Sequence, residues 1–238
     1  MPDEPSPLTA PVPPVAPARP RPEGLAAVLW DLDGTLVDTE PYWMRAEFDL
    51  VAAHGGTWTD ADARAVVGFD LLDAAAYLQR AGGVDMDPVD IVELMMDRVI
   101  EQMADDPPWQ PGALALLGAL RGAAIPCVLV TMSWRRLAAA VVDLLPPGTF
   151  VGAVVGDEVP RGKPHPDPYL AAARLLGAEP GSCVALEDSP TGARSARAAG
   201  CRVVAVPHVV DVPADLADAV VPSLTDVDVA MLRRLAGG

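Results

Sequence analysis

Between Asp31 and Glu40 the chain reads Asp31-Leu32-Asp33-Gly34-Thr35-Leu36-Val37-Asp38-Thr39-Glu40. Two carboxylates separated by one residue, on a chain leaving a strand, can converge on one point. Converging acids repel unless one stays protonated or a divalent cation holds both. Taken alone, Asp-x-Asp-Gly is also a common turn sequence. Three further polar groups follow apolar runs: Thr131-Met132-Ser133, Arg161-Gly162-Lys163-Pro164 and Glu187-Asp188-Ser189. Each has a plain alternative. Thr131 to Ser133 and Glu187 to Pro190 also read as helix N-caps, and Lys163 as an exposed loop lysine. His165 has no acid or second histidine in sequence reach and carries no role. Coincidence at four successive strand ends is what favours a shared site.

The elements that must position these groups are legible as alternating runs. Ala26 to Trp30, entered from Gly24 and stopped by acid-acid-Gly, reads as a strand buried on both faces. After Pro107, strands at Ile125–Thr131, Val151–Val155, Ser182–Leu186, Arg202–Val206 and Ala219–Val221 alternate with helices at 112–122, 134–145, 168–176, 191–199 and 226–236. That alternation means right-handed crossovers and a Rossmann-like, doubly wound parallel sheet of the α/β class. In such a sheet the strand ends share one edge, with ligands held near the point where strand order reverses. Between Pro41 and Asp106 there is no strand signal. Helices at 41–54, 60–67, 72–80 and 87–103 form an all-helical insertion between the first two strands. In the first, Trp43, Ala46, Glu47, Leu50 and Val51 share a face. In the last, Val92, Met95, Met96, Val99 and Met103 oppose an acidic stripe of Asp90, Glu93, Asp97 and Glu101. The expected organisation is a Pro-rich tail at 1–23, too poor in periodicity to bury a core, an α/β core at 24–40 and 108–238, and a helical domain at 41–107.

Composition bounds the partners. The 238 residues are 51% hydrophobic with a formal net charge of -16. This argues against nucleic acid and anionic membrane, which require a basic footprint. An anionic substrate would have to be won locally, by a metal or a placed Lys or Arg. No apolar run is long enough to span a bilayer, and the start lacks a secretory pattern. Cys127, Cys183 and Cys201 are odd in number and set in or beside apolar runs, as core thiols of a cytoplasmic protein. The absence of Gly-x-Gly-x-x-Gly after a strand argues against a dinucleotide binder. Nothing points beyond a monomer.

Together the Asp31-to-Glu40 segment, Thr131, Gly162-Lys163-Pro164 and Glu187-Asp188-Ser189-Pro190-Thr191-Gly192 resemble the four ordered motifs of the haloacid dehalogenase superfamily. The likeness covers nearly everything after the tail, and the helical insertion resembles the small cap of the branch containing phosphoglycolate and hexose-phosphate phosphatases and β-phosphoglucomutase. The resemblance implies that Asp31 is the nucleophile, forming an aspartyl phosphate. It implies that Asp33 protonates the leaving group and then activates water. Mg²⁺ would be held by the Asp31 and Asp188 carboxylates and the Asp33 carbonyl, with Glu187 just behind. Thr131 and the N–H groups of Met132, Leu32 and Asp33 would hold phosphoryl oxygens, with Lys163 offsetting their charge. Phosphate monoester hydrolysis needs accelerations of up to about 10²¹-fold, which asks for all of these together.

The implied activity is Mg²⁺-dependent hydrolysis of a small phosphorylated metabolite, sugar phosphate-like. Asp33 favours phosphoryl chemistry over the dehalogenases of the same fold. A β-phosphoglucomutase-like mutase is the alternative, weakened because Val67-Gly68-Phe69-Asp70-Leu71 lacks the basic and hydroxyl residues of that enzyme's cap loop. A non-catalytic binder of phosphate esters is the other, although such a protein has no need to keep Asp31, Asp33, Lys163 and Asp188 together. His165 and Trp30 depart from the family pattern without removing a reactive group. The cap should close through linkers at 38–41 and 105–111, with Trp43 and Gly68 to Leu71 choosing the leaving group; Phe69 and Leu71 could equally pack within the cap.

Overall fold

The computed structural model describes residues 24–67, 69–104 and 107–237. The Pro-rich tail 1–23, Gly68 of the cap loop and Asp105–Asp106 of the second linker lie outside them. The chain divides into two compact units, 24–36 with 109–237 and Val37–Pro108.

The first unit is built on six parallel strands: β1 (Ala27–Trp30), β2 (Cys127–Val130), β3 (Gly152–Val154), β4 (Cys183–Glu187), β5 (Arg202–Ala205) and β6 (Ala219–Val220). Their order is β3-β2-β1-β4-β5-β6. Strand order therefore runs outward in both directions from the β1–β4 boundary, which makes that boundary the reversal point expected to hold ligands. Register places Trp30 of β1 beside Leu129 of β2 and Leu186 of β4, so three strand ends are level. All four residues of β1 are fully buried, as a strand covered on both faces requires.

Helices α1 (Glu40–Ala53), α2 (Asp60–Val66), α3 (Leu71–Gly82) and α4 (Pro88–Met103) make the second unit. The first unit holds α5 (Ala113–Gly122), α6 (Arg135–Val142), α7 (Asp167–Leu176), α8 (Pro190–Ala198) and α9 (Val229–Ala236). Helices α7 and α8 cover one face of the sheet, where Leu29, Val128, Ala185 and Val203 meet Tyr169, Ala172, Ala193 and Ala196. On β4 α9 also packs, with α5 against it. In the second unit α1 and α3 pack on α4, whose Ile91, Val92, Met95, Met96, Val99 and Met103 are buried. Helices α2, α3 and α4 begin where short polar side chains satisfy first-turn N–H groups: Thr59 and Asp62 form a capping box, and Asp70 and Asp87 accept from Leu72 and Val89. No helix among the described residues is long and apolar enough to cross a membrane.

Candidate active site

The Asp31 N–H donates to the Leu186 carbonyl at 3.1 Å, carrying the β1–β4 ladder one residue past the strand. There the chain turns, closed by Leu36 N–H on the Leu32 carbonyl at 2.9 Å. Gly34 takes a φ of 83°, and a Cβ there would collide with the Asp188 carboxylate. Both facts call for glycine. Gln110 pins the turn, donating its side-chain amide to the Gly34 carbonyl at 2.9 Å and its backbone N–H to Leu36 at 3.0 Å. Leu32, between the two acids, is fully buried.

Beyond the turn lies a buried ion cluster. Lys163 Nζ donates to Asp31 Oδ1 at 2.6 Å and to Glu187 Oε1 at 2.5 Å, with the lysine side chain 5% exposed. The ammonium lies 5.4 Å from the ring centroid of Tyr169, a cation–π distance, and the Tyr169 hydroxyl donates to the same Glu187 oxygen. Thr35 Oγ1 donates to Asp31 Oδ2 at 3.0 Å. Both oxygens of Asp31 are thus oriented before any substrate arrives. Glu187 ends β4 rather than following it, paired with Ala205, and its carboxylate fills the space where a Cβ on Gly192 of α8 would stand. Ser189 then caps α8, accepting from the Gly192 N–H at 3.2 Å.

Asp31, Glu187 and Asp188 each offer a carboxylate oxygen, all within 4.8 Å of one another. Burial pushes the Asp31 carboxyl up to about 7; the Lys163 charge opposes the rise and Glu187 adds to it. Asp188 is raised by burial first and then by the charges of Asp31 and Glu187. Burial also disfavours the charge on Lys163, but Asp31 and Glu187 together outweigh it and the ammonium is held more firmly than usual. One ammonium does not balance three acids. A hard divalent cation would, and an all-oxygen donor set suits Mg²⁺. The residues present fit such an ion.

Asp33 sits on the other side of the turn. Its Oδ2 accepts from Ser133 Oγ at 2.6 Å and from Thr131 Oγ1 at 3.3 Å, and Thr131 Oγ1 in turn accepts the Ser133 N–H at 2.9 Å. Met132, between them, accepts the Lys163 N–H on its sulfur at 3.1 Å. The strand-end groups singled out from sequence therefore meet: Asp31, Lys163, Glu187 and Asp188 in one cluster, with Thr131 and Ser133 on Asp33. His165 is exposed, and its backbone carbonyl accepts from Ser195 Oγ. Sequence reasoning missed Tyr169. Its signal was a hydroxyl on the inward face of a helix, which must find a partner when buried. Ser133 stood in a recognised motif without a role.

The chain is similar to known proteins in sequence and fold. A family model described as haloacid dehalogenase-like hydrolase matches residues 25–200. Hexitol phosphatase A of Escherichia coli (strain K12) is 35% identical over 218 residues, covering 85% of this chain and 88% of its own. Hexitol phosphatase B of the same strain is 30% identical over 192 residues, 78% of this chain and 85% of its own. The crystal structure of CbbY from Rhodobacter sphaeroides in complex with phosphate superposes with a TM-score of 0.79 at 28% identity, over 87% of this chain and 99% of that one. Six parallel strands in this order, the buried lysine–carboxylate cluster at their ends and these matches give one answer: the chain belongs to the haloacid dehalogenase-like hydrolases.

Proposed function

We propose that this chain is a phosphatase that hydrolyses a small, sugar phosphate-like monoester in two displacements at Asp31, with Mg²⁺ as cofactor. The observation that carries the reading is the Lys163 ammonium bridging Asp31 and Glu187 in a buried cluster beside Asp188. The likeness to two hexitol phosphatases supports the substrate class.

Asp31, fixed by Lys163 on one oxygen and Thr35 on the other, attacks phosphorus and becomes an aspartyl phosphate while the alkoxide leaves. Asp33 gives that alkoxide its proton. In the second displacement Asp33 takes a proton from water, whose oxygen attacks the same phosphorus and frees Asp31. Thr131 and the N–H groups of Met132, Leu32 and Asp33 hold the phosphoryl oxygens, and Lys163 offsets charge on the transferring group. The Asp31 and Asp188 carboxylates and the Asp33 carbonyl would hold Mg²⁺, while Glu187 stays committed to Lys163 and Tyr169. When bound, the ion neutralises charge on phosphoryl and carboxylate oxygens. A mutase would need a group in the 67–71 loop to recapture a phosphorylated intermediate. Asp70, an acid in that loop, accepts the Leu72 N–H as a helix cap instead. A reducing cytoplasm suits the three buried free thiols.

The test is phosphate release from a panel of sugar, glycolate and nucleotide monophosphates, with Mg²⁺ or chelator, by wild type and Asp31→Asn. Release should need Mg²⁺, rank sugar or hexitol phosphates first, and fall on the order of 10⁴-fold or more in the variant. Isomerisation without net release would instead identify a mutase. Ester binding without turnover would identify a non-catalytic binder.

A further inference from the structure

We propose that the Met132 thioether is a positioning device for Lys163, joining the loop that holds the phosphoryl group to the loop that supplies the ammonium. The inference rests on the phosphatase reading above for its catalytic consequence.

Lys163 is held at both ends. Its ammonium is fixed by Asp31 and Glu187. Its root lies in the stretch between the turn Gly156–Glu158 and α7, where the Lys163 N–H donates to Met132 Sδ at 3.1 Å. The residue that follows is Pro164, which has no N–H to offer, and the His165 N–H closes the turn on the Gly162 carbonyl at 3.0 Å. Two glycines make room for this arrangement. A Cβ on Gly162 would stand 2.7 Å from the Met132 sulfur, and one on Gly156 would collide with the Met132 carbonyl. The Gly156 contact is with backbone and cannot give way; at Gly162 the flexible Met132 side chain could yield only by moving its sulfur, the atom that accepts from Lys163. A neighbour on the 156–158 turn keeps the same loop in register, because Asp157 accepts the Arg135 N–H at 2.9 Å at the start of α6.

The consequence is coupling through one residue. In the phosphatase reading the Met132 N–H holds a phosphoryl oxygen, while its sulfur accepts from the Lys163 backbone, so displacement of one is felt by the other. A thioether is a weak acceptor on an unbranched, adaptable side chain. It sets the lysine's root without competing for the ammonium itself.

Two variants separate the latch from simple packing. Met132→Leu conserves volume and is ordinarily tolerated, but removes the acceptor. Met132→Gln places a carbonyl oxygen within reach of the Lys163 N–H. If the sulfur is a latch, Leu lowers kcat about ten-fold with KM within about two-fold, inside the ~100-fold cost of a 1 Å misplacement, and Gln restores most of it. If Met132 merely packs, the order reverses, since Leu suits an apolar contact and Gln does not. Amide hydrogen exchange at Lys163, followed by NMR, reads the bond without turnover: protection should persist in wild type and Gln and drop in Leu. Equal protection in all three, or Gln poorer than Leu in kcat, overturns the proposal. Should wild type release no phosphate from any ester, the phosphatase reading fails while Lys163 exchange still decides the latch.

Discussion

Asp33 depends on two hydroxyls that serve it unequally. Ser133 donates to Oδ2 at 2.6 Å and Thr131 at 3.3 Å, and Thr131 is also the group proposed to turn toward a phosphoryl oxygen. Ser133 therefore keeps the acid aimed when Thr131 is engaged elsewhere. Asp33→Asn should lower kcat by ~10²–10⁴-fold, the usual share of a general acid–base, while the variant folds normally. Unchanged kcat in single-substrate kinetics would remove Asp33 from the proton path. Which of these residues the sequence betrays follows from how each is held. Asp31, Asp33, Thr131, Glu187 and Asp188 stand at or just past the ends of apolar runs, with Lys163 in the loop that follows the third, and parallel topology converts that placement into proximity. The partners of the Met132 sulfur and the Tyr169 hydroxyl were illegible because they are 31 and 18 residues away and lie on other elements. Spacing reports direction only within one element.

One member of the inward face of helix α1 is an acid. Glu47 is 4% exposed and accepts the Trp58 Nε1–H on Oε2 at 3.1 Å. Burial pushes its carboxyl up to about 8, with the Trp58 bond opposing and the Glu40 charge adding. The folded state thus holds a proton that the unfolded chain gives up near 4.5. Stability from this group is fully present below about pH 4.5 and is lost as pH rises toward 8, because the native state binds more protons in that window. Glu47→Gln keeps an acceptor for Trp58 and has no proton to lose. Thermal unfolding from pH 5 to 8.5 should show wild type losing on the order of a few kcal/mol more than the variant. Parallel slopes for the two proteins would mean Glu47 is charged in the fold. Helical spacing was enough to place Glu47 inward, but its partner lies past the end of α1 and left no periodic trace. Strand limits were legible only to within two residues, the second strand beginning at Cys127 and not at Ile125. Hydrogen-bond register decides them, and it admits Glu47's counterpart in the sheet, Glu187, to β4 while ending β2 at Val130.

At the scale of the molecule, a net charge of -16 surrounds a site that must accept an anion. The local field at Lys163 and the proposed Mg²⁺ attracts the ester, whereas the remainder of the surface repels it. Raising ionic strength from 0.01 to 0.15 M shortens the screening length from ~30 to ~8 Å, which hides the distant charges more than the near ones. The kcat/KM for a dianionic ester, measured at constant free Mg²⁺, should therefore rise about two- to five-fold with salt. A fall would mean that the cationic site governs approach from long range. The strand order has another consequence, in the time domain of synthesis. β1 is the centre of the sheet and its first strand to be made, yet its neighbours β2 and β4 begin at Cys127 and Cys183. At ~5–20 residues per second, the roughly 150 residues separating β1 from β4 take ~8–30 s to emerge. Throughout that interval Ala-Val-Leu-Trp, wholly hidden in the finished protein, waits with one flank or both unpaired. The nascent chain therefore carries an unpaired apolar strand until β4 is made, and a ribosome stalled near residue 150 would leave that strand without its β4 partner.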